Sequence, residues 1–203
     1  TVSAAYPGGY TRILHGNIEG FVAASSPKIC VPIKAGTVNT GSDVRFGSYC
    51  DFYGQFSPGN GVLFRGTQPS TVISFGSAVA SHQRYWHMDV RIGDDSAGIT
   101  PSNRDAAVFG GYDDTGAVIG QQHVAINCHY GWSLDEVVDG YIGNNLQTFL
   151  YCVFAEALHL SIHDDGGFAS HGYGPIFGPQ YRYTKICFQR CIFAHNAIRN
   201  PEE

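Results

Sequence analysis

The residues with the most chemical capacity are nine histidines and six cysteines, so ligand and nucleophile patterns come first. Cys187, Cys191 and His195 recur every four residues, a spacing that would stack three zinc ligands on one face of a helix. Their surroundings, Tyr181 to Ile186 and Ile192-Phe193, favour strand, where residues four apart stand about 13 Å apart and cannot share an ion. The expected role is a buried thiol face. His159, Ser161 and His163 alternate onto one strand face, with Asp164 and Asp165 just beyond. One of these histidines could join His129 from a neighbouring strand, but Leu160 stands where a metalloprotease helix HExxH needs its Glu. The simpler expectation is hydrogen-bonded histidines on a polar sheet face, with the two aspartates starting a turn. No metal site and no cofactor are expected.

Nucleophile patterns fare no better. Gln122, Cys128 and Trp132 are similar in type to the glutamine, cysteine and tryptophan of papain-like hydrolases. There the nucleophile opens a helix whose N-terminus lowers its pKa, whereas Val124 to Tyr130 alternates as strand. The Gly-x-Ser-x-Gly elbow is absent, since Gly167-Phe-Ala-Ser-His-Gly172 misses the spacing by one residue. Gly172-x-Gly174-x-x-x-Gly178 carries Pro175 and Pro179 and leads into a strand, so no helix N-terminus is available for a phosphate. A pair of carboxylates that meet only in the fold stays open, as does a small cysteine or carboxylate hydrolase. No catalytic residue is assigned, and the protein is not expected to be an enzyme.

The elements that must position these residues read as strands. Ala106 to Tyr112, the turn Asp113-Asp-Thr-Gly116 and Ala117 to Tyr130 predict a hairpin. Pro58-Gly-Asn-Gly61 predicts a second between Tyr49 to Phe56 and Gly61 to Arg65, because Asn-Gly supplies the positive φ values of a tight turn. Further strands are expected near Phe21 to Ala24, Ile29 to Ile33, Val72 to Phe75, Arg84 to Ile92 and Arg182 to Ala194. Ser133-Leu-Asp-Glu136 has capping-box spacing and predicts one or two helical turns before Gly140. Leu146 to Leu158 fits helical spacing yet is rich in strand formers, and strand is favoured. The fold class is all-β, a compact β-barrel or layered β-sandwich with long loops and at most one or two short helices.

Composition bounds the function. Charged residues are 14% and aromatics 13% of 203 residues, with 26 glycines and a net charge of −5. An apolar content of 43% argues against disorder. Three lysines and scattered arginines argue against a nucleic-acid partner. The longest apolar run, Phe149 to Ala155, is far short of the ~20 residues of a membrane span, so no membrane insertion is expected. The six cysteines are expected as reduced thiols. Residues 1–203 read as a single domain excised from a longer polypeptide, since Met88 is the only methionine. The outstanding irregular segment is His163 to Gln180, and loops of that length are often functional. Asp164, Asp165, Phe168, Ser170, Tyr173 and Phe177 are the expected binding residues, by the Gly, Ser and Tyr composition that recognition loops favour.

An all-β chain of this size, lysine-poor, without Asn-x-Ser/Thr acceptors or a disulfide pattern, resembles the projecting domain of a non-enveloped virus capsid. The likeness is to the capsid spike of astroviruses, the avian ones in particular, and Asn200-Pro-Glu-Glu203 is compatible with the acidic segment that follows those spikes. The resemblance implies a homodimer on the virion surface, made in the host cytoplasm. Such a domain attaches to a host-cell receptor, glycan or protein, and is bound by neutralising antibodies. The alternative reading is a carbohydrate-binding β module.

Overall fold

The computed structural model describes residues 11–13, 28–32, 35–40, 44–66, 73–74, 81–94, 101–109, 120–140, 144–164, 167–177 and 185–201. The chain there is all-β, with 3-10 turns at Gly54–Phe56 and Pro101–Asn103. The strands begin with β1 (Thr11–Ile13), β2 (Lys28–Cys30), β3 (Gly36–Thr40), β4 (Val44–Arg45), β5 (Cys50–Tyr53), β6 (Val62–Gly66) and β7 (Ile73–Ser74). They continue with β8 (Ser81–Trp86), β9 (Met88–Arg91), β10 (Ala107–Val108), β11 (Gly120–Ile126), β12 (His129–Gly131) and β13 (Val138–Asp139). The last are β14 (Asn144–Leu150), β15 (Val153–Ala155), β16 (Leu160–Asp164), β17 (Gly167–Ser170), β18 (Ile186–Gln189) and β19 (Ile192–Ala194).

Apart from β1–β2 and β16–β17, consecutive strands do not pair with each other. The chain deals them in turn to three sheets, and each strand pairs in parallel with its counterpart one circuit away. The first sheet runs β1-β2-β5-β8-β11-β14-β18, the second β19-β15-β12-β9-β6-β3 and the third β13-β10-β7-β4. This connectivity is a solenoid of stacked coils. A parallel pair needs a long return path, and here the other two sides of the coil supply it in place of helices. Among the described strands only β16 and β17 pair antiparallel, as an insertion after β15. Beyond it the chain rejoins the third side, where Val137 N donates to Tyr173 O and Gly174 N to Ile198 O, both at 2.9 Å.

The all-β reading therefore holds with parallel sheets, and a barrel or sandwich form is not confirmed by this pairing. Both expected hairpins are corrected. β5 and β6 lie in different sheets, and Pro58 to Gly61 is a corner insertion whose Gly61 N donates to Pro58 O at 3.2 Å. β10 and β11 are likewise in different sheets. Ser133 to Glu136 forms no helix, because Leu134 N and Asp135 N both donate to Arg104 O in the adjacent coil, at 3.1 and 3.3 Å. Ladder bonds thus take the donors that a capping box would satisfy. The strand preference over Leu146 to Leu158 is met by β14 and β15. Phe21 to Ala24 lies outside the described residues.

Single left-handed residues turn the corners. Tyr49, His82, Gln122 and Leu146 do so at the entry to the first sheet, and His87, Asn127, Tyr151 and Arg190 between the first and second. Trp132, Glu156 and His195 follow the second, and all of these have φ between 51° and 61°. This conformation is costly for a residue with a Cβ. Stacking offsets the cost where another coil follows, because the corner amide bonds to it: His87 N to Ile126 O at 3.0 Å, Asn127 N to Leu150 O at 2.9 Å, Tyr151 N to Gln189 O at 2.9 Å.

Register turns the interior into ladders of like residues. Phe52, Tyr85, Ala125, Phe149 and Phe188 share one position in successive coils. Phe64, Val90, Tyr130, Phe154 and Phe193 share another. Adjacent strands are about 4.8 Å apart, so rings at one position stack face to face. Centroid separations are 5.5 Å for Tyr130–Phe154, 5.0 Å for Phe154–Phe193 and 5.3 Å for Phe149–Phe188. Cys128, Cys152 and Cys191 form a third ladder, each thiol donating to a carbonyl of the neighbouring coil: Tyr85 O at 3.7 Å, Ala125 O at 3.4 Å and Phe149 O at 3.3 Å. Among the described residues no helix is long and apolar enough to cross a membrane.

Candidate functional site

Two places on the solenoid gather polar side chains. The first is on the third side, where Asp105, Asp135, Glu136, His163, His171, Tyr173 and Arg199 converge from five separate stretches of chain. Asp135 and Glu136 follow the Trp132 corner, His163 comes from the inserted strand β16, and His171 and Tyr173 from the segment that returns to the coil. Backbone bridges Glu136–Tyr173 and Tyr173–Ile198 bring these coils into register. Gly174 is needed there, since a Cβ on it would collide with the Arg199 carbonyl.

Asp135 is the hub. Its Oδ1 lies 2.8 Å from His171 Nε2 and 3.5 Å from His163 Nε2. The two imidazoles stack at 3.7 Å between centroids, and His171 stacks in turn on Tyr173 at 3.6 Å. The Arg199 guanidinium lies 4.6 Å from the Tyr173 ring centroid, and its NH1 pairs with Glu136 Oε1. Glu136 N donates to Asp105 Oδ1 at 2.9 Å. Burial, then the nearby Asp139 and Asp135, pushes the Asp105 carboxyl well above its usual range. Burial also raises Asp135, while His171 and His163 pull it back. A cluster of this make-up offers proton donors and acceptors side by side, and Asp135, His163 and His171 present three ligand atoms within 4.8 Å of one another.

The second place is a cleft of about 410 Å³ between the Gly54 to Gly61 corner insertion and the outer face of β9 and β12. Gln55, Ser57, Asn60, His87, Asp89, Asn127 and His129 line it. Strand alternation places Asp89 and His129 opposite each other on the outer face. Arg91 Nε donates to Asp89 Oδ1 at 3.3 Å, and His129 Nδ1 is 3.2 Å from the same oxygen. Asn127 Nδ2 donates to His87 Nε2 at 3.2 Å, linking two stacked corners. Aromatic rings stand nearby in chain and register. Tyr53 and Trp86 stack at 4.7 Å on the outer face of the first sheet, and the Arg91 guanidinium is 5.0 Å from the centroid of Trp132, which is 41% exposed. Gly54 is required at the mouth, because a Cβ there would strike the His87 carbonyl.

The expected loop residues are dispersed by this arrangement. Phe177 is buried at 2% exposure, its ring 5.5 Å from Phe149 and 5.3 Å from Phe188, so it covers the core. Tyr173 joins the polar cluster. Ser170 is exposed and donates to His159 Nε2 at 3.0 Å, while His159 Nδ1 donates to His171 O at 3.1 Å. Asp164 and Phe168 lie in the β16–β17 hairpin, and Asp165 lies outside the described residues. His129 meets Asp89 and not His159 or His163. Cys187, Cys191 and His195 do not converge: Cys187 is exposed on β18, and Cys191 is in the interior ladder. Cys128 is buried in that ladder, far from the exposed setting a nucleophile needs, and all six cysteines are free.

Sequence reading singled out His163 but passed over Asp135, Glu136, His171 and Arg199 as functional groups. The chain matches no protein-family model and no curated protein sequence.

Proposed function

We propose that this solenoid binds a linear glycan along the outer face of its second sheet. The observation that carries the reading is the cleft lined by amides, hydroxyl, imidazoles and one carboxylate. Sugars carry hydroxyls that need paired donors and acceptors, and this lining supplies both kinds of partner. A solenoid face also repeats at each coil, which suits a polymer lying along it. Attachment to a host-cell glycan is the setting in which the resemblance to a capsid projection would place such a groove. A carbohydrate-binding module of another origin would use the same surface.

Electrophoresis through gels containing a panel of neutral and uronic-acid polysaccharides tests the reading. At least one polymer should retard the protein. Asn127→Gly, which keeps the left-handed corner while removing the amide, should weaken that retardation about tenfold, or roughly 1.4 kcal/mol. Free migration of the native protein through the entire panel would sink the proposal.

A further inference from the structure

We infer that Asp135, His163 and His171 form a binding site for a single divalent transition-metal ion, with zinc the representative case. The inference stands apart from the glycan reading, because it concerns the third side of the solenoid and is measured without any sugar. Two imidazole nitrogens and one carboxylate oxygen are the donor set that borderline cations take in three-ligand sites with open positions. Metal–ligand bonds of about 2.0–2.2 Å place neighbouring ligand atoms roughly 3.0–3.5 Å apart at octahedral or tetrahedral angles. The carboxylate-to-imidazole separations of 2.8 and 3.5 Å straddle that range.

Access and charge agree with the donor set. The side chains of His163, His171 and Asp135 are 13%, 15% and 16% exposed, so the ligand atoms are shielded while solvent still reaches the site. Asp135 contributes a carboxylate to the donor set, which favours a cation over an anion. The three ligands sit on different supports, β16, the returning segment and the Trp132 corner, so the ion would pin the inserted hairpin to the coil. The imidazoles stack nearly parallel, at 8° between planes. Both in-plane lone pairs can meet one ion only if the rings turn apart about χ2, so binding must break the stack.

Calorimetry with ZnCl₂ on the full chain, stripped of metal with a chelator, is the test, accompanied by Co²⁺ absorption spectra. The expected result is one tight site per chain, with visible Co²⁺ bands of an imidazole and carboxylate environment. His163→Asn and His171→Asn should each weaken the site at least tenfold and abolish the bands, and Asp135→Asn should do the same while keeping a hydrogen-bond acceptor. Far-ultraviolet circular dichroism without metal confirms that each variant is folded, and a misfolded variant is replaced by His163→Gln or His171→Gln. Absence of a one-to-one site in the native protein, or a site that survives these substitutions because other histidines hold the ion, would overturn the inference.

Discussion

At the scale of single residues, the interior of the first sheet holds a polar ladder of Gln83, His123 and Gln147, all buried. Gln83 Nε2 is satisfied by the carbonyls of Phe46 and Gly47 at 3.1 and 2.9 Å. Burial, and secondarily His82, lowers the His123 pKa from 6.5 to about 4. A base whose folded pKa is depressed is neutral in the fold but binds a proton in the unfolded chain. Its contribution is complete above about pH 6.5 and is lost as pH falls toward 4. The shift corresponds to roughly 3 kcal/mol. His123→Gln, which continues the glutamine ladder, should lose less stability than the native chain between pH 7 and pH 4.5 in urea titrations. Equal acid losses would show that His123 is not the group responsible. None of this was legible beforehand: His123 sits in an alternating strand, but alternation does not say which face is the interior. The same holds for the polar cluster, since Asp135, His171 and Arg199 lie in stretches without a shared motif and meet only when three coils stack.

Elements were more legible than their partners. β8, β9, β12, β14, β15, β18 and β19 each overlap a stretch whose strand character the sequence displayed through alternation and β-branched or aromatic residues, although β8 and β14 begin before the expected bounds. Pairing was misjudged because Asn-Gly and Asp-Thr-Gly were read as hairpin signals. The actual corners are ordinary side chains such as Tyr151, Glu156 and Arg190 in left-handed geometry, which no composition rule marks. Nor was a repeat visible, because interior partners recur at Lys28, Cys50, Gln83, His123, Gln147 and Ile186 with insertions of unequal length between them. Close stacking of coils makes one element-scale demand testable. A Cβ on Gly131 would collide with the Ala155 carbonyl in the next coil. Gly131→Ala should therefore cost on the order of 2 kcal/mol and lower Tm by roughly 4–8 °C, read by thermal unfolding. An unchanged Tm would mean that β12 and β15 are not packed at ladder distance.

At the scale of the molecule, parallel coils explain how a chain with 14% charged residues uses its outer surface. Aromatic and cysteine ladders fill the interior, leaving amide, hydroxyl and imidazole groups at the corners and on the outer strand faces. Stacked corners bring His87 beside Asn127, and stacked strands bring Asp89 beside His129, so one groove is assembled from residues distant in sequence. The cleft and the histidine–carboxylate cluster are separate products of the same stacking. The most direct test of the account is calorimetric affinity for oligosaccharides of increasing length, cut from whichever polysaccharide retards the protein. A ligand lying along successive coils should bind more tightly with each added sugar until the groove is full, and then level off. Affinity that is already maximal with a single sugar would contradict an extended site on the solenoid face.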